Sequence, residues 1–261
     1  MKKVFLFLLP VFVYSCTEKQ EFITLSDTSV TIFYDGSKQL TVNYSSDALK
    51  SKTYNYSSSD STIVSVSKTG LVSGISIGTA IVKVSSSDGK YTDDCSFTVS
   101  SKSTLYKEPY TVFGSTISTV KSKEARTIKS ETTTSLIYTD TDPDVRYAMY
   151  MFESGKSTSA AVLLTQTTSI ATEVPTFLFE RYKYLGSSGG YYIYIDRKSG
   201  IGVVLTVDAN LGLCVIYTAP TSSSSVQIQK LKKSNQTLTT NNSNEVLSTE
   251  LQNIMSPSHR I

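Results

Sequence analysis

The sequence predicts two domains in series, an all-β sandwich followed by an α+β domain with an antiparallel sheet. Its 261 residues exceed the usual size of one domain and favour about two. Up to about residue 100, short apolar runs alternate with turn residues at the roughly 8–12 residue spacing that is typical of a sandwich. Beyond about residue 105, apolar residues at helical spacing separate two groups of such runs, which indicates an α+β domain.

The first sixteen residues have the character of an export signal. Lys2 and Lys3 precede the apolar run 4–13, which has about half of the roughly 20 residues that a membrane-spanning helix needs. The run ends in Val13-Tyr14-Ser15-Cys16, which resembles the lipobox of bacterial lipoproteins. That resemblance implies cleavage after residue 15 and attachment of acyl chains such as palmitate to Cys16. An ordinary secretory signal with an incidental cysteine is the alternative.

Composition narrows the range of partners. Without Lys2 and Lys3, the 25 basic residues become 23 against 22 acidic ones, a net charge of +1, which disfavours nucleic acid. Cys95 and Cys214 fall in strands of different predicted domains, so we interpret them as buried thiols rather than as a disulfide. We expect no cofactor, and a monomer held at the membrane by the lipid on Cys16, with an unknown extracellular protein or glycan partner.

The first domain consists of short strands without a helical period. In the run 91–99, Cys95, Phe97 and Val99 face inward together, and alternate residues of 79–84 share one face. Asp35-Gly36 and Asp88-Gly89 are turn signals. The predicted strands are residues 23–25, 30–33, 39–44, 53–57, 63–66, 71–75, 79–84 and 91–99.

Three segments of this domain carry a family resemblance. They are YSSSDSTIVSV at 56–66, KTGLVSG at 68–74 and GTAIVKV at 78–84. Their order and spacing resemble the bacterial immunoglobulin-like domain of group 2, although Tyr56 stands where a tryptophan is common. The resemblance implies an immunoglobulin-like sandwich over about residues 22–100 that serves as a spacer or binding module of surface proteins and has no catalytic residues to transfer.

The second domain, about residues 105–220, follows a polar link at 100–104 that we expect to be flexible. A short helix near 113–120 and a longer one at 169–185, which contains Pro175, each precede a group of strands. The predicted strands are residues 132–139, 145–153 and 159–166, then 191–195, 201–207 and 213–217. This order predicts an αβββ duplication with both helices on one face of an antiparallel sheet.

The tail, residues 221–261, is rich in Ser, Asn, Thr and Lys, and its composition predicts disorder. Only residues 246–255 have the spacing for one or two weak helical turns.

The candidate ligand-binding residues are Tyr192 and Tyr194, which lie in the tyrosine-rich strand 191–195. Exposed tyrosines offer a flat amphipathic surface to sugars or proteins. The alternative is that they replace tryptophan and phenylalanine in a half-buried sheet.

Catalytic and metal chemistry receive little support. The only histidine, His259, lies near the C-terminus, which disfavours a Ser-His pair and a zinc site. The run Asp140–Asp144 lacks the Gly and Glu of a calcium loop, and the run 155–158 lacks the first Gly of a phosphate-binding loop. We assign no catalytic and no metal-binding residue. A glycosidase would need two carboxylates close together, and nothing in the sequence brings two of the candidates together. The candidates are Glu153, Glu173, Glu180 and Asp196.

These features favour a non-catalytic surface binding or adhesion protein of the bacterial cell envelope. The lipid on Cys16 would anchor the protein in the outer membrane, and residues 16–21 would form a tether. The folded domains would then be exposed on the cell surface. The alternatives are a glycan-binding accessory lipoprotein that uses the tyrosine-rich sheet, and a carboxylate-based enzyme of unknown type.

Overall fold

The computed structural model describes residues 20–220 and 244–255. The N-terminal domain has nine strands and one short helix, α1 (Asp47–Lys50). The strands are β1 (Ile23–Leu25), β2 (Ser29–Phe33), β3 (Ser37–Gln39), β4 (Val42–Tyr44), β5 (Tyr54–Ser58), β6 (Val64–Val66), β7 (Leu71–Gly74), β8 (Gly78–Ser86) and β9 (Thr92–Ser100).

The predicted sandwich is confirmed. Its sheets have the orders β2-β9-β8-β5, β3-β7-β6 and β1-β4, and β2 pairs with β9 in parallel. Cys95, Phe97 and Val99 point into the core, as their alternation predicted. The predicted strand 39–44 is instead two strands, because β3 pairs with β7 whereas β4 pairs with β1. The buried Leu40 lies where the chain passes from one sheet to the other.

The turn between β6 and β7 depends on close packing around Gly70. Its φ is +83°, a conformation that strains any residue with a Cβ. A Cβ there would lie 2.8 Å from the ring of Tyr56 and 2.9 Å from the carbonyl oxygen of Leu40. The glycine of the KTG segment is therefore needed both for its conformation and for the space that Tyr56 occupies.

The C-terminal domain is one antiparallel sheet of eight strands, in the order β10-β11-β12-β13-β17-β16-β15-β14. Its helices are α2 (Ile117–Lys123), α3 (Thr168–Phe179) and α4 (Asn244–Met255). Its strands are β10 (Thr127–Glu131), β11 (Ser135–Thr139), β12 (Val145–Glu153), β13 (Lys156–Leu164), β14 (Lys183–Ser188), β15 (Tyr191–Ile195), β16 (Gly202–Asp208) and β17 (Gly212–Thr218).

The chain order is a helix and four strands, repeated, so the αβββ prediction is corrected by one strand in each repeat. The two repeats meet through their last strands, with Val162 of β13 opposite Val215 of β17. The added strands, β10 and β14, are the two edges of the sheet. Every residue of β10 is exposed, and β14 occupies the end of the predicted helix 169–185, which stops at Phe179. Edge strands bury little apolar surface, so they leave a weak pattern in the sequence.

Both faces of this sheet are apolar and buried. The main cluster joins one face to residues of all three helices, among them Val120, Phe177 and Leu251. A second buried cluster on the opposite face contains Met149 and Ile216, and none of its members belongs to a described helix. The central strands therefore lack the alternation of a half-exposed sheet, and β17 is buried at every position.

Helix α4 covers the segment 246–255 for which helical spacing was predicted, and its 12 residues are more than the one or two turns expected. Leu251 and Met255, one helical turn apart, are buried against the core, and the hydroxyl of Tyr194 donates to the Met255 sulfur at 3.7 Å. The composition averaged over 221–261 is polar, so only the spacing of this short apolar stripe indicated a helix. The remaining tail, residues 221–243 and 256–261, lies outside the described residues, as do residues 1–19 with Cys16.

Candidate functional site

The link between the domains is fixed by Glu180, directly after α3. The Glu180 side chain has no exposed surface, and its carboxylate accepts from the backbone nitrogens of Lys102 at 2.6 Å and Ser103 at 3.2 Å. The Glu180 carbonyl oxygen accepts from Ile77 N at 2.9 Å and from Ser76 Oγ at 3.0 Å. The predicted flexible link is therefore wrong, because a buried carboxylate binds its backbone and the sandwich docks against the same residue.

We call this contact, in which Glu180 binds both the link and the sandwich, the joint. A cavity of about 210 Å³ lies beside it. The N-terminal domain contributes four lining residues, Thr62, Ile63, Ser76 and Ile77. The C-terminal domain contributes Glu108, Arg181, Tyr182, Asp196, Arg197 and Lys198. The cavity therefore exists only where the two domains meet, and its charged residues come from the C-terminal domain.

Both terminal nitrogens of the Arg181 guanidinium take part in the contact between the domains. Its Nη1 donates to the Phe177 carbonyl at 2.8 Å and to Glu180 at 3.4 Å, and its Nη2 donates to the Ser103 carbonyl at 3.2 Å. The group also lies over the Phe177 ring, 3.6 Å from its centroid. Arg181 consequently has a structural role in the cavity wall.

Glu108 receives a group of buried tyrosine hydroxyls. Tyr182 and Tyr217 both donate to its Oε1, and the hydroxyls of Tyr217 and Tyr106 lie 2.7 Å apart. Burial, followed by the charge of Glu108, raises the pKa of Tyr182 far above its ordinary value. These tyrosines therefore remain neutral donors and hold Glu108 at the edge of the cavity.

The turn between β15 and β16 supplies the remaining charges. Asp196 Oδ1 accepts from the backbone nitrogens of Lys198 at 2.8 Å and Ser199 at 2.6 Å. The Lys198 ammonium reaches across to Asp60 of the sandwich at 2.6 Å. This hydrogen bond, with a second one from Thr62, lowers the pKa of Asp60 to about 2. The turn thus makes a second contact between the domains, through the ion pair of Lys198 with Asp60.

Arg197 lies between Asp196 and Lys198 in the chain, and one of its side-chain nitrogens has no hydrogen-bond partner. Within residues 20–220 and 244–255, three buried side-chain polar atoms lack a hydrogen-bond partner, namely Tyr138 Oη, Ser159 Oγ and Arg197 Nη1. Arg197 is the one charged residue of the three. Buried polar groups are nearly always bonded in native proteins, so such an atom requires a physical explanation.

A second charged centre lies under α2, away from the joint. Arg126 binds Glu124 at 2.9 Å, Asp140 at 2.5 Å and the Lys107 carbonyl, with only 4% of its side chain exposed. Tyr150 Oη donates to Glu124 at 2.5 Å. Every one of these groups is bonded to another, which is the arrangement of a structural network.

The sequence-predicted ligand residues are elsewhere and are buried. Tyr192 is 4% exposed, Tyr194 has no exposed surface, and both belong to the core beneath the helices. The Tyr194 ring packs against Phe179 and Tyr184. The predicted exposure of these two tyrosines is therefore wrong, whereas ligand contact by Tyr192, which also lines a cavity beside α4, stays a prediction. They fill the core, which was the alternative interpretation of the strand.

The carboxylates considered for catalysis have separate positions. Glu180 and Glu173 both bind the link, the latter through Ser103 Oγ at 2.7 Å, and Asp196 caps its turn. Glu153 ends strand β12. Across the described ranges, no cluster of three or more His, Cys, Asp or Glu side chains is placed to hold a metal ion. Cys95 and Cys214 are both buried, and no disulfide joins them.

Sequence reasoning missed the cavity residues Glu108, Arg181 and Arg197. Each lies beside another charged residue in the chain, without a motif or a spacing that indicates a site. The site exists because the sandwich docks on the end of α3, and that contact joins residues more than 100 positions apart, such as Ser76 and Glu180. A signal for it could not be read from either domain alone.

Comparison with protein families identifies the first domain. Residues 20–97 match the bacterial Ig-like domain of group 2. No curated protein matches the chain. No helix in the described part of the molecule has the length and apolar character to cross a membrane.

Two solved structures have regions similar to this chain. A bacterial Ig-like domain containing GH10 xylanase from termite gut matches at 20% identity and a TM-score of 0.23, over 31% of this chain and 21% of that one. Domains 1–6 of the surface layer protein SbsC match at 16% identity and a TM-score of 0.26, over 78% of this chain and 33% of that one. The chain thus spans about a fifth and a third of their lengths. The family match establishes that residues 20–97 are a bacterial Ig-like domain of group 2, as the motifs at 56–84 predicted.

Proposed function

We propose that this chain is a lipid-anchored protein of the bacterial cell surface that binds an extracellular partner and catalyses no reaction. Bacterial Ig-like domains of group 2 are non-catalytic and occur in bacterial surface proteins, which supports the surface role. The observation that carries the proposal is the fixed joint at Glu180. A domain that is bound firmly to the end of a spacer is presented at a defined distance and orientation.

The N-terminal end of the Ig-like domain is suited to an anchor. Glu21 accepts from Ser46 Oγ at 2.5 Å and from Tyr91 Oη at 3.0 Å, so the ordered domain begins only a few residues after Cys16. A single acyl chain binds a membrane weakly, whereas two or more give stable attachment. A diacylated Cys16 would therefore hold the Ig-like domain against the membrane, with the C-terminal domain beyond it.

Metabolic labelling tests the anchor. We expect the chain, expressed in a bacterial host with an alkyne-tagged palmitate, to carry label that Cys16→Ala abolishes. Cys95→Ala is the matched control, since Cys95 is buried in the sandwich and should not affect labelling. Label that persists in Cys16→Ala would contradict the proposal.

Protease treatment of intact cells tests the surface position. We expect the mature wild-type chain to be digested while a periplasmic marker protein survives. Protection of the chain until the outer membrane is permeabilised would instead place it in the periplasm and would refute surface exposure.

A further inference from the structure

Another cavity, of about 210 Å³, lies between the tip of the β14–β15 hairpin and helix α4. We propose that it binds one neutral sugar unit of an extracellular glycan, with the Tyr192 hydroxyl as its central hydrogen-bonding group. This inference rests on the proposed function, because it assigns a chemical class to the extracellular partner. Binding is measured on the purified chain, so this test can fail while the tests of lipid attachment and surface position succeed.

The first argument is the hydroxyl of Tyr192. Tyr192 is 4% exposed and lines the cavity, yet its hydroxyl forms no hydrogen bond with any residue of 20–220 or 244–255. The hydroxyl is not among the fully enclosed polar atoms named above, so it retains accessible surface. Because the rest of the side chain is buried, this surface faces the cavity that the side chain lines. Burial raises the pKa of Tyr192, so its hydroxyl stays protonated and can both donate and accept.

The second argument is the helix side of the cavity. Ser248 and Gln252 lie one helical turn apart on α4, and both line the cavity. Neither side chain forms a hydrogen bond with another residue in the part of the chain that the structure describes. A hydroxyl and an amide each supply donors and acceptors. Together with Tyr192 they match the hydroxyls of a sugar, which also donate and accept, whereas an ion needs groups of one kind.

The third argument is charge. Among the described residues, no Lys, Arg or His lines the cavity, so nothing there balances an anion. The one carboxylate, that of Asp208, is buried, and its Oδ1 accepts from the backbone nitrogens of Asn210 at 2.8 Å and Leu211 at 3.1 Å. These two amides offset its charge, so the cavity does not require a cation, and the same carboxylate repels an acidic ligand. The lining therefore favours a neutral ligand.

The fourth argument is size and apolar surface. The volume of about 210 Å³ is several times that of one water, ~30 Å³, and lies below the ~300–1,000 Å³ of pockets for drug-sized ligands. Val207, Ala209 and Leu251 line the cavity beside the tyrosine rings, and such surfaces pack against the C–H face of a sugar ring. A Cβ on Gly189 or Gly190 would meet no atom closer than 4.0 Å, so the cavity is open beside the hairpin turn, where the rest of a glycan would extend.

Ligand-observed NMR titration of the full chain, in a detergent without a sugar headgroup, tests the class of ligand. The neutral probes are D-glucose, D-galactose, D-mannose and N-acetyl-D-glucosamine, and the charged counterparts of glucose are D-glucuronate and D-glucosamine. We expect at least one neutral probe to bind with a Kd below about 10 mM, and D-glucuronate to bind at least about tenfold more weakly than that probe. No neutral binding below that concentration, or a charged probe that binds as tightly as the best neutral one, would overturn the proposal.

Two variants connect binding to the cavity. Tyr192→Phe removes only the hydroxyl of the strand, and Ser248→Ala removes the hydroxyl of α4. Each should weaken binding of the best neutral probe about 3- to 10-fold. Neither variant loses a hydrogen bond within the described protein, so the unfolding temperature should keep its wild-type value.

Tyr138→Phe is the matched control. It also removes a hydroxyl without a partner, but from β11, away from the cavity, and it should bind the probe as the wild type does. Wild-type affinity in Tyr192→Phe, or an equal loss of affinity in Tyr138→Phe, would refute the site.

Discussion

The two domains both rely on β-sheets, but they bury them differently. In the Ig-like domain, β8 alternates between buried and exposed positions, because one face meets the core and the other meets water. In the C-terminal domain, every residue of β17 is buried, because both faces are covered. The first arrangement tolerates changes on its outer face, whereas the second has no outer face at its centre.

Their charged groups differ in the same way. The Lys50–Asp47 pair of the Ig-like domain lies on the surface, with side chains 62% and 93% exposed. The pairs formed by Arg126 in the C-terminal domain lie inside, with 4% of that side chain exposed. The C-terminal domain therefore depends on a few buried groups, while the Ig-like domain depends on alternation and turns.

The largest effect should come from the buried charge network. Arg126→Met leaves Glu124 and Asp140 buried without their cation, and should destabilise the C-terminal domain by about 3–5 kcal/mol. Lys50→Met, the matched change at the exposed pair, should leave the free energy of unfolding nearly unchanged. Calorimetric unfolding measures both. A similar cost for the two variants would remove the distinction between the domains' charges.

The next effect tests the second buried face of the large sheet. Ile216→Ala leaves a cavity between Ala161 and Val204 and should cost about 2–5 kcal/mol in the free energy of unfolding. Ile81→Ala, at a residue of β8 that is 48% exposed, should change that free energy by less than about 0.5 kcal/mol. Denaturant titration followed by circular dichroism compares them. A small cost at Ile216 would show that the second face is not packed in solution.

The same difference explains what the sequence could predict. Strands 145–153 and 191–195 of the C-terminal domain coincide with β12 and β15, because long apolar runs identify buried strands whichever way they face. The role of Tyr192 and Tyr194 could not be predicted, because every residue of β15 is aromatic or aliphatic, so the sequence does not show which alternate set faces the core. The edge strands β10 and β14 were missed because they bury little apolar surface. Helix α4 was expected only as one or two weak turns because its burial depends on the neighbouring elements.

The joint and its cavity were beyond sequence reasoning for another reason. Glu180 was considered as a catalytic carboxylate, yet its hydrogen bonds go to the backbone of the link, 77 and 78 residues away in the chain. A single charged residue suits many roles, and only the docking of the two domains selects one. The fold of each domain could therefore be predicted from the sequence more completely than the cavity between the domains.

A moderate effect should come from the turns of the Ig-like domain. Gly70→Ala combines a positive φ with a Cβ in contact with Tyr56, whereas Gly89→Ala has a similar φ of +72° and open space. Both variants suffer backbone strain, so the additional cost of Gly70→Ala should be the overpacking, about 1–3 kcal/mol. Thermal unfolding of the two variants measures this difference. Equal stabilities would mean that the core beneath Tyr56 adjusts freely.

The smallest effect concerns the contact that links the two domains at their surfaces. The pKa of Asp60 is lowered to about 2 from an ordinary 3.8, chiefly by the hydrogen bond from Lys198 and then by Thr62. Because the folded pKa lies below the unfolded one, the ionised carboxylate stabilises the folded chain above about pH 4. That contribution is lost as the pH falls through the range from about 3.8 to about 2.

Asp60→Asn should therefore flatten the dependence of stability on pH in that window, with a small loss of stability at neutral pH because the pair is partly exposed to water. Asp47→Asn, which removes a surface pair within the Ig-like domain alone, is the control. Hydrogen exchange at the backbone amides of Ile77 and Lys102 reports on the joint itself, since both amides are bonded to Glu180. Acid could also increase the exchange of these two amides equally in the wild type and in Asp60→Asn. That result would mean that the Lys198 contact contributes nothing to the rigidity of the joint.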